Sequence, residues 1–119
     1  MKEIHNIKYE LLHNADKAES SIKILSAFVT NNAFKVINEE LSNSIVDRVI
    51  VMRGRLDDFI TGSTNFDFEY AFQSNWKVFF NFELHAKNYL FDEKCLIVGS
   101  SNLTSSGIGL DDNSNIEDN

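Results

Sequence analysis

Apolar residues recur along this chain with helical spacing in some segments and in continuous strand-like runs in others. Ile7, Leu11 and Ala15 are spaced four residues apart, which predicts an amphipathic helix at the start of the chain. In chain order the pattern predicts a helix over 6–19, a strand over 22–30, a helix beginning at 31–32, a strand over 46–52, a short helix over 56–61, one or two helical turns over 66–73, a strand over 76–84, and two strands over 85–91 and 95–98.

This alternation of strands and helices predicts one α/β domain, a sandwich whose central mixed sheet is flanked by helices. Residues 76–84 run directly into 85–91, so either one long strand or two strands joined by a bend is expected. Parallel crossovers place functional loops at the carboxyl ends of strands, which is where a site is expected.

A hairpin is predicted where the polar turn 92–94 separates the last two strands. If Glu93 and Lys94 form a two-residue loop, the strand pairs follow from it as a hypothesis. This register pairs Phe91 with Leu96, Tyr89 with Val98, Lys87 with Ser100 and His85 with Asn102. It would gather an imidazole, an ammonium, a hydroxyl and an amide at one end of the hairpin.

Those groups suit attack on a phosphate diester. A neutral imidazole at His85 can act as a nucleophile through a phosphohistidine, while Lys87 and the amide of Asn102 stabilise charge on the phosphate oxygens. This chemistry requires no metal and no cofactor. A bare His-x-Lys pair is more often an ordinary polar pair on a half-solvated sheet face, but Asp92 and Gly99 in phase with it favour the functional interpretation.

The spacing H-x-K-x4-D-x6-G-S-x-N over residues 85–102 resembles the signature of the phospholipase D superfamily. The segment is most similar to the branch that holds bacterial metal-independent nucleases and restriction endonucleases. The resemblance implies a phospholipase D-like α/β sandwich and a metal-independent endonuclease that cleaves nucleic acid, with DNA as the expected substrate. An active site of this superfamily needs two motifs and this chain has one, so the resemblance also implies a homodimer.

Carried onto this sequence, the family pattern makes His85 the nucleophile of one motif and His85 of the second subunit the general acid. Lys87 and Asn102 would hold the phosphate, with Ser100 supporting it. These four residues carry the chemistry in the expected catalytic set, which also includes Glu117.

Five further residues have weaker assignments. Asp92 and Gly99 would be structural within the motif, with Asp92 ordering the hairpin turn. Glu117 is the candidate acid that orients the catalytic histidine, against the alternative of a solvated acid near the end of the chain. Arg53 and Arg55 end a strand and are weak candidates for binding a polynucleotide backbone, although solvated cations beside a turn are the more common explanation.

Length and composition fit one small domain. With 119 residues and 43% hydrophobic content, the chain can fill a single core, and Trp76 and the phenylalanines are interpreted as core rather than as a base-stacking platform. We expect a phospholipase D-like domain over 1–110 and an acidic tail over 111–119 that could be a truncated continuation of the domain. The single Cys95 excludes an internal disulfide. Neither a secretory leader nor a membrane-spanning run is evident, so a cytoplasmic protein that does not act at a membrane is expected.

The charge balance limits how such a domain could act. A formal net charge of −7 argues against tight DNA binding by this chain alone, because phosphate contacts dominate such affinity. A separate DNA-recognition domain or subunit is therefore expected. Two alternatives stay open: a hydrolase or transferase of the same superfamily acting on phospholipid or another phosphodiester, and a non-catalytic dimerisation module.

Overall fold

A mixed five-stranded sheet runs through the computed structural model, which describes residues 7–99 and 101–110. The helices and strands up to residue 98 follow the predicted order, and a short helix over 105–108 was not predicted. In chain order they are α1 (Ile7–Lys17), β1 (Ser21–Ser26), α2 (Asn31–Glu40), β2 (Asp47–Met52), α3 (Leu56–Ile60), α4 (Phe68–Gln73), β3 (Trp76–Phe80), β4 (Lys87–Phe91), β5 (Cys95–Val98) and α5 (Ser105–Ile108).

The order of strands across the sheet is β3-β2-β1-β4-β5. β1, β2 and β3 are parallel to one another, whereas β4 is antiparallel to β1 and β5 is antiparallel to β4. The carboxyl ends of the three parallel strands therefore lie at one end of the sheet, together with the start of β4 and the end of β5. We call this end of the sheet, which runs across all five strands, the carboxyl edge.

One face of the sheet is buried beneath the helices. Ile24 of β1 and Ile50 of β2 are paired neighbours, and both belong to the buried cluster that includes Leu11 of α1 and Phe34 of α2. Every second residue of these strands points into this cluster, as the alternation of a β-strand requires. The predicted apolar stripes of the first two helices are confirmed by this packing.

The opposite face of the sheet, which we call the open face, is not buried by the helices described. Its row nearest the carboxyl edge runs across all five strands as Phe79, Val51, Leu25, Asn88 and Val98. Three of these side chains are half-buried, while Phe79 is 51% and Val98 66% exposed. A row that is apolar at four of five positions therefore remains accessible to solvent.

Residues 76–84 and 85–91 do not form one strand. β3 ends at Phe80, and a turn follows in which the Leu84 N–H donates to the Asn81 carbonyl oxygen at 2.9 Å. β4 then begins at Lys87 on the far side of β1, so the two strands are not neighbours in the sheet. The turn lacks the glycine or proline that would have marked it in the sequence.

The interpretation of the aromatic residues as core holds only in part. Trp76 is buried, but Phe72, Phe79, Phe80 and Phe82 are each about half exposed or more. β3 is an edge strand, which explains the exposure at its end, and Phe82 lies in the turn that follows it. The interpretation as core is therefore wrong for these four phenylalanines.

Candidate active site

The motif hairpin is formed by β4 and β5, but its register is one residue away from the predicted one. Phe91 pairs with Cys95 and Tyr89 with Ile97, so the predicted pairs of Phe91 with Leu96 and Tyr89 with Val98 are wrong. The Gly99 N–H donates to the Lys87 carbonyl at 3.2 Å, which gives Lys87 the neighbour Gly99 in place of Ser100. The predicted pairing of His85 with Asn102 is not formed either, because β4 begins only at Lys87.

The loop has three residues because Asp92 leaves the strand. Asp92 and Glu93 both adopt the left-handed conformation with φ of 57°. The Asp92 carboxylate accepts hydrogen bonds from the backbone N–H groups of Glu19, Ser20 and Ser21, at 3.0, 2.7 and 3.1 Å. It therefore fastens the hairpin to the connection between α1 and β1 rather than ordering its own turn.

These backbone donors favour the ionised form of the Asp92 carboxyl. The N–H of Ser20 contributes most, followed by those of Ser21 and Glu19, and together they lower the pKa of the Asp92 carboxyl to about 2. The carboxylate is ionised across the physiological range, and it lies at the opposite end of β4 from Lys87.

Asn102 lies against the end of β1. Its Oδ1 accepts the backbone N–H of Phe28 at 3.2 Å and lies 3.3 Å from the Ser26 hydroxyl. Because the Phe28 N–H can only donate, the oxygen of the amide must face β1. The amide nitrogen, with its two N–H donors, is therefore on the other side of the group.

The buried Ser26 links Asn102 to Lys87. Ser26 pairs with Lys87 across β1 and β4, its hydroxyl donates to the Phe28 carbonyl at 2.7 Å, and it accepts the Leu103 N–H at 2.9 Å. Lys87 and Asn102 are thus both neighbours of one serine at the carboxyl edge.

His85 is exposed and precedes β4 by two residues. The ammonium of Lys87 donates to the His85 carbonyl oxygen at 3.4 Å. If the pairing of β1 with β4 is continued by two positions beyond Ser26 and Lys87, His85 lies opposite Phe28. Phe28 is the residue whose backbone N–H binds Asn102. The structure therefore brings His85, Lys87 and Asn102 to the same end of β1, while Ser100 and Glu117 lie outside the described residues.

Two buried side chains beneath this site were missed by the sequence reasoning. The Tyr89 hydroxyl donates to the Ser101 carbonyl at 2.9 Å, and burial raises the pKa of Tyr89. With Ser26 it holds residues 101–103 against β1. The alternation of β4 does place Tyr89 on the same face as Lys87, but no local pattern in the sequence indicates Ser26.

The two arginines lie at the same edge, and both have acidic partners. Arg53 donates through Nε to Asp58 Oδ2 at 2.9 Å, forms a second contact with the other carboxylate oxygen, and lies 4.7 Å above the Phe28 ring. This hydrogen bonding raises the pKa of Arg53 and lowers that of Asp58. Arg55 donates to the Phe82 carbonyl at 2.7 Å and lies 3.6 Å from Glu83. Substrate binding by either arginine stays a prediction.

Comparison with known proteins identifies the chain. Residues 11–119 match the family described as cardiolipin synthase, PLD-like domain. The chain belongs to this family. Among solved structures, NucT from Helicobacter pylori is similar to this PLD-like domain, with a TM-score of 0.55 and 17% identity over 83% of this chain and 68% of that chain. No curated protein matches the sequence significantly.

The predicted superfamily and its α/β fold with a mixed sheet are thereby confirmed. As a PLD-like domain, the chain is an enzyme domain of the phosphodiesterase type. Within residues 7–99 and 101–110, no helix is long and apolar enough to cross a bilayer. The same part of the chain contains no group of three or more His, Cys, Asp and Glu side chains placed to hold a metal ion.

Proposed function

We propose that this PLD-like domain is a metal-independent endonuclease domain that cleaves nucleic acid, with DNA as the expected substrate, in an active site shared by two copies of the chain. The observation that carries the proposal is the meeting of His85, Lys87 and Asn102 at one end of β1, where Ser26 links the last two. An exposed imidazole beside a cation and an amide donor is the set that phosphoryl transfer needs.

The reaction would proceed in two displacements. An imidazole nitrogen of His85 attacks phosphorus, a P–N bond forms and the P–O bond to the leaving alcohol breaks, while His85 of the second copy gives that oxygen a proton. A water molecule, deprotonated by the second histidine, then attacks phosphorus and breaks the P–N bond. Lys87 and the Asn102 amide would bind the non-bridging oxygens throughout.

The substrate assignment rests on the similarity of the motif segment to bacterial nucleases. NucT shares the fold, and at 17% identity that likeness supports the fold alone. A net charge of −7 fits a catalytic domain that receives its DNA from a recognition domain or subunit.

The test is cleavage of plasmid DNA in excess chelator by the wild-type chain and by His85→Ala. His13→Ala is the matched control, since His13 is an exposed histidine on α1 whose ring stacks on Tyr9 at 5.5 Å. We expect chelator-resistant cleavage that is lost in His85→Ala and kept in His13→Ala.

Other outcomes would contradict the proposal in different ways. Cleavage abolished by the chelator would overturn the metal-free mechanism, and cleavage kept in His85→Ala would overturn the role of that histidine. Turnover of a phospholipid or a small diester without DNA cleavage would assign the domain to another branch of phosphodiester chemistry. A dimer inert on every substrate would favour a non-catalytic dimerisation module.

A further inference from the structure

We infer that a pocket beside the turn between β3 and β4 binds an unpaired nucleobase of the polynucleotide whose phosphate lies in the candidate active site. This pocket, which we call the aromatic pocket, has a volume of about 580 Å³ and is lined by Gly54, Arg55, Leu56, Phe59 and Phe82. The inference rests on the proposed function, because the site must first receive a nucleic acid. It adds a second contact with that substrate, made to a base rather than to a phosphate.

One row of the sheet joins the aromatic pocket to the site. It runs along the carboxyl edge from Lys87 on β4 through Ser26 on β1 and Met52 on β2 to Phe80 on β3. Ser26 and Met52 are buried, so the row lies on the face that the helices cover, and the Phe80 ring at its end lies against Gly54. Two strand spacings, about 10 Å, separate β2 from β4. A strand bound at the site can therefore extend a neighbouring nucleotide to the pocket.

The walls of the aromatic pocket are flat groups. Aromatic rings such as those of Phe59 and Phe82 stack on nucleobases, and so does the guanidinium plane of an arginine such as Arg55. The Phe82 side chain is 61% exposed, while its carbonyl oxygen accepts the Arg55 Nε–H at 2.7 Å. An exposed ring on a fixed backbone loses little freedom when a base stacks on it. A base within a duplex is already stacked on its neighbours, so the pocket suits an unpaired one.

Positive charge lies between the site and the aromatic pocket. Arg53 lies 4.7 Å above the ring of Phe28, which borders the site, but the buried Asp58 balances its charge. Arg55 is less constrained, because among the described residues only its Nε donates a hydrogen bond and the Glu83 carboxylate, 86% exposed, is 3.6 Å away. Such an exposed ion pair is weak in water. The terminal nitrogens of Arg55 can therefore donate to the phosphate of a nucleotide whose base is in the pocket.

The same features argue against a lipid acyl chain as the occupant. An acyl chain gains its binding energy by leaving water, which requires a channel that encloses it. The aromatic pocket opens to solvent instead, since Leu56 is 73% and Phe82 61% exposed. A base needs only its faces covered, because its edges remain hydrogen-bonded to water.

The test is the binding of a fluorescein-labelled single-stranded oligodeoxynucleotide, followed by fluorescence anisotropy at low salt. The parent chain carries His85→Ala so that the probe is not cleaved, and an abasic strand of the same length is the second probe. We expect Phe82→Ala to weaken binding of the first probe by roughly 5- to 100-fold, as for the loss of one stacked base, and to leave binding of the abasic strand unchanged. Phe82→Trp should keep the affinity for both probes.

Phe79→Ala is the matched control. Phe79 belongs to the same edge strand and is 51% exposed, but it lies on the open face of the sheet. It should bind both probes as the parent chain does. If circular dichroism shows that Phe82→Ala does not fold, Phe82→Leu repeats the test with an apolar side chain that lacks a flat ring.

Equal affinity of the parent chain for the two probes, no binding of either, or full affinity of a folded Phe82→Ala chain would overturn the inference. Binding of phosphatidylglycerol vesicles that is lost in Phe82→Ala, without oligonucleotide binding, would assign the pocket to a lipid and overturn it as well. Plasmid cleavage by the wild type separates this inference from the proposed function. Base-dependent binding without cleavage would reject the function and leave the pocket in place, whereas cleavage with equal affinity for both probes would do the reverse.

Discussion

Replacing Asp92 by asparagine should destabilise the domain at neutral pH by removing one negative charge. Asparagine keeps an oxygen acceptor for the N–H groups of residues 19–21, and it tolerates the left-handed conformation that Asp92 adopts. The substitution therefore isolates the charge of the carboxylate from its shape.

The magnitude follows from the lowered pKa. A fall from the ordinary value of 3.8 to about 2 corresponds to about 2.4 kcal/mol. Because Asp92 is only half-buried, solvent screening reduces the expected loss in Asp92→Asn to about 1–1.5 kcal/mol. For a domain of this size the melting temperature should fall by roughly 3–8 °C.

The pH dependence gives the sharper test. A carboxylate whose pKa is lowered on folding stabilises the folded state fully above its unfolded pKa, and this contribution is lost as pH falls towards the folded value. Urea unfolding of both chains, followed by circular dichroism, should show the full difference at pH 7 and a shrinking one between pH values of about 4 and about 2.

Glu93→Gln is the matched control, since Glu93 is the next residue of the same loop and its carboxylate binds the exposed Lys23. It should change the stability at pH 7 much less than Asp92→Asn does. A difference between wild type and Asp92→Asn that stays constant down to about pH 2, or that is absent at pH 7, would refute the reasoning.

Three further predictions test other parts of the structure. In urea unfolding, Gly54→Ala should cost about 2–3 kcal/mol of stability and Gly62→Ala about 1 kcal/mol. Both glycines have positive φ, but only at Gly54 would an added Cβ lie 2.1 Å from the Phe80 ring. Equal costs for the two substitutions would contradict the clash. Asn102→Asp keeps an oxygen acceptor for the end of β1 but loses both amide N–H donors. The rate of plasmid cleavage should therefore fall by a factor of about 10²–10³, with little change in melting temperature. Unchanged cleavage would exclude the Asn102 amide from phosphate binding. Arg48→Met should destabilise the folded domain by about 2–4 kcal/mol, because the buried Arg48 donates to four oxygen acceptors. A loss of stability below about 1 kcal/mol in urea unfolding would contradict this prediction.

Most of the helices and strands could be predicted because they are encoded by local apolar periodicity. α1, β1, α2 and β2 all begin within about two residues of the predicted positions, since each presents an apolar stripe or alternation to one core. The sequence left open whether residues 76–91 form one long strand or two strands joined by a bend, because nothing in the local sequence marks the turn between β3 and β4.

The register of the motif hairpin could not be read locally. It depends on Asp92, whose backbone partners Ser20 and Ser21 lie more than seventy residues earlier in the chain. The same holds for Asn102, whose orientation is set by the Phe28 N–H. A motif shows which chemical groups are present, whereas contacts between distant segments decide where they point.

The bond between Asn102 and the end of β1 also bears on when the site can form during synthesis. Its two partners are separated by 74 positions in the chain, and contacts of such long range form late because the loop between them must first be closed. A ribosome-bound chain can complete β1 and its helical neighbours long before residue 102 emerges, yet it has no assembled phosphate-binding group at that stage. Recovery of this bond during refolding should therefore trail the recovery of helical structure.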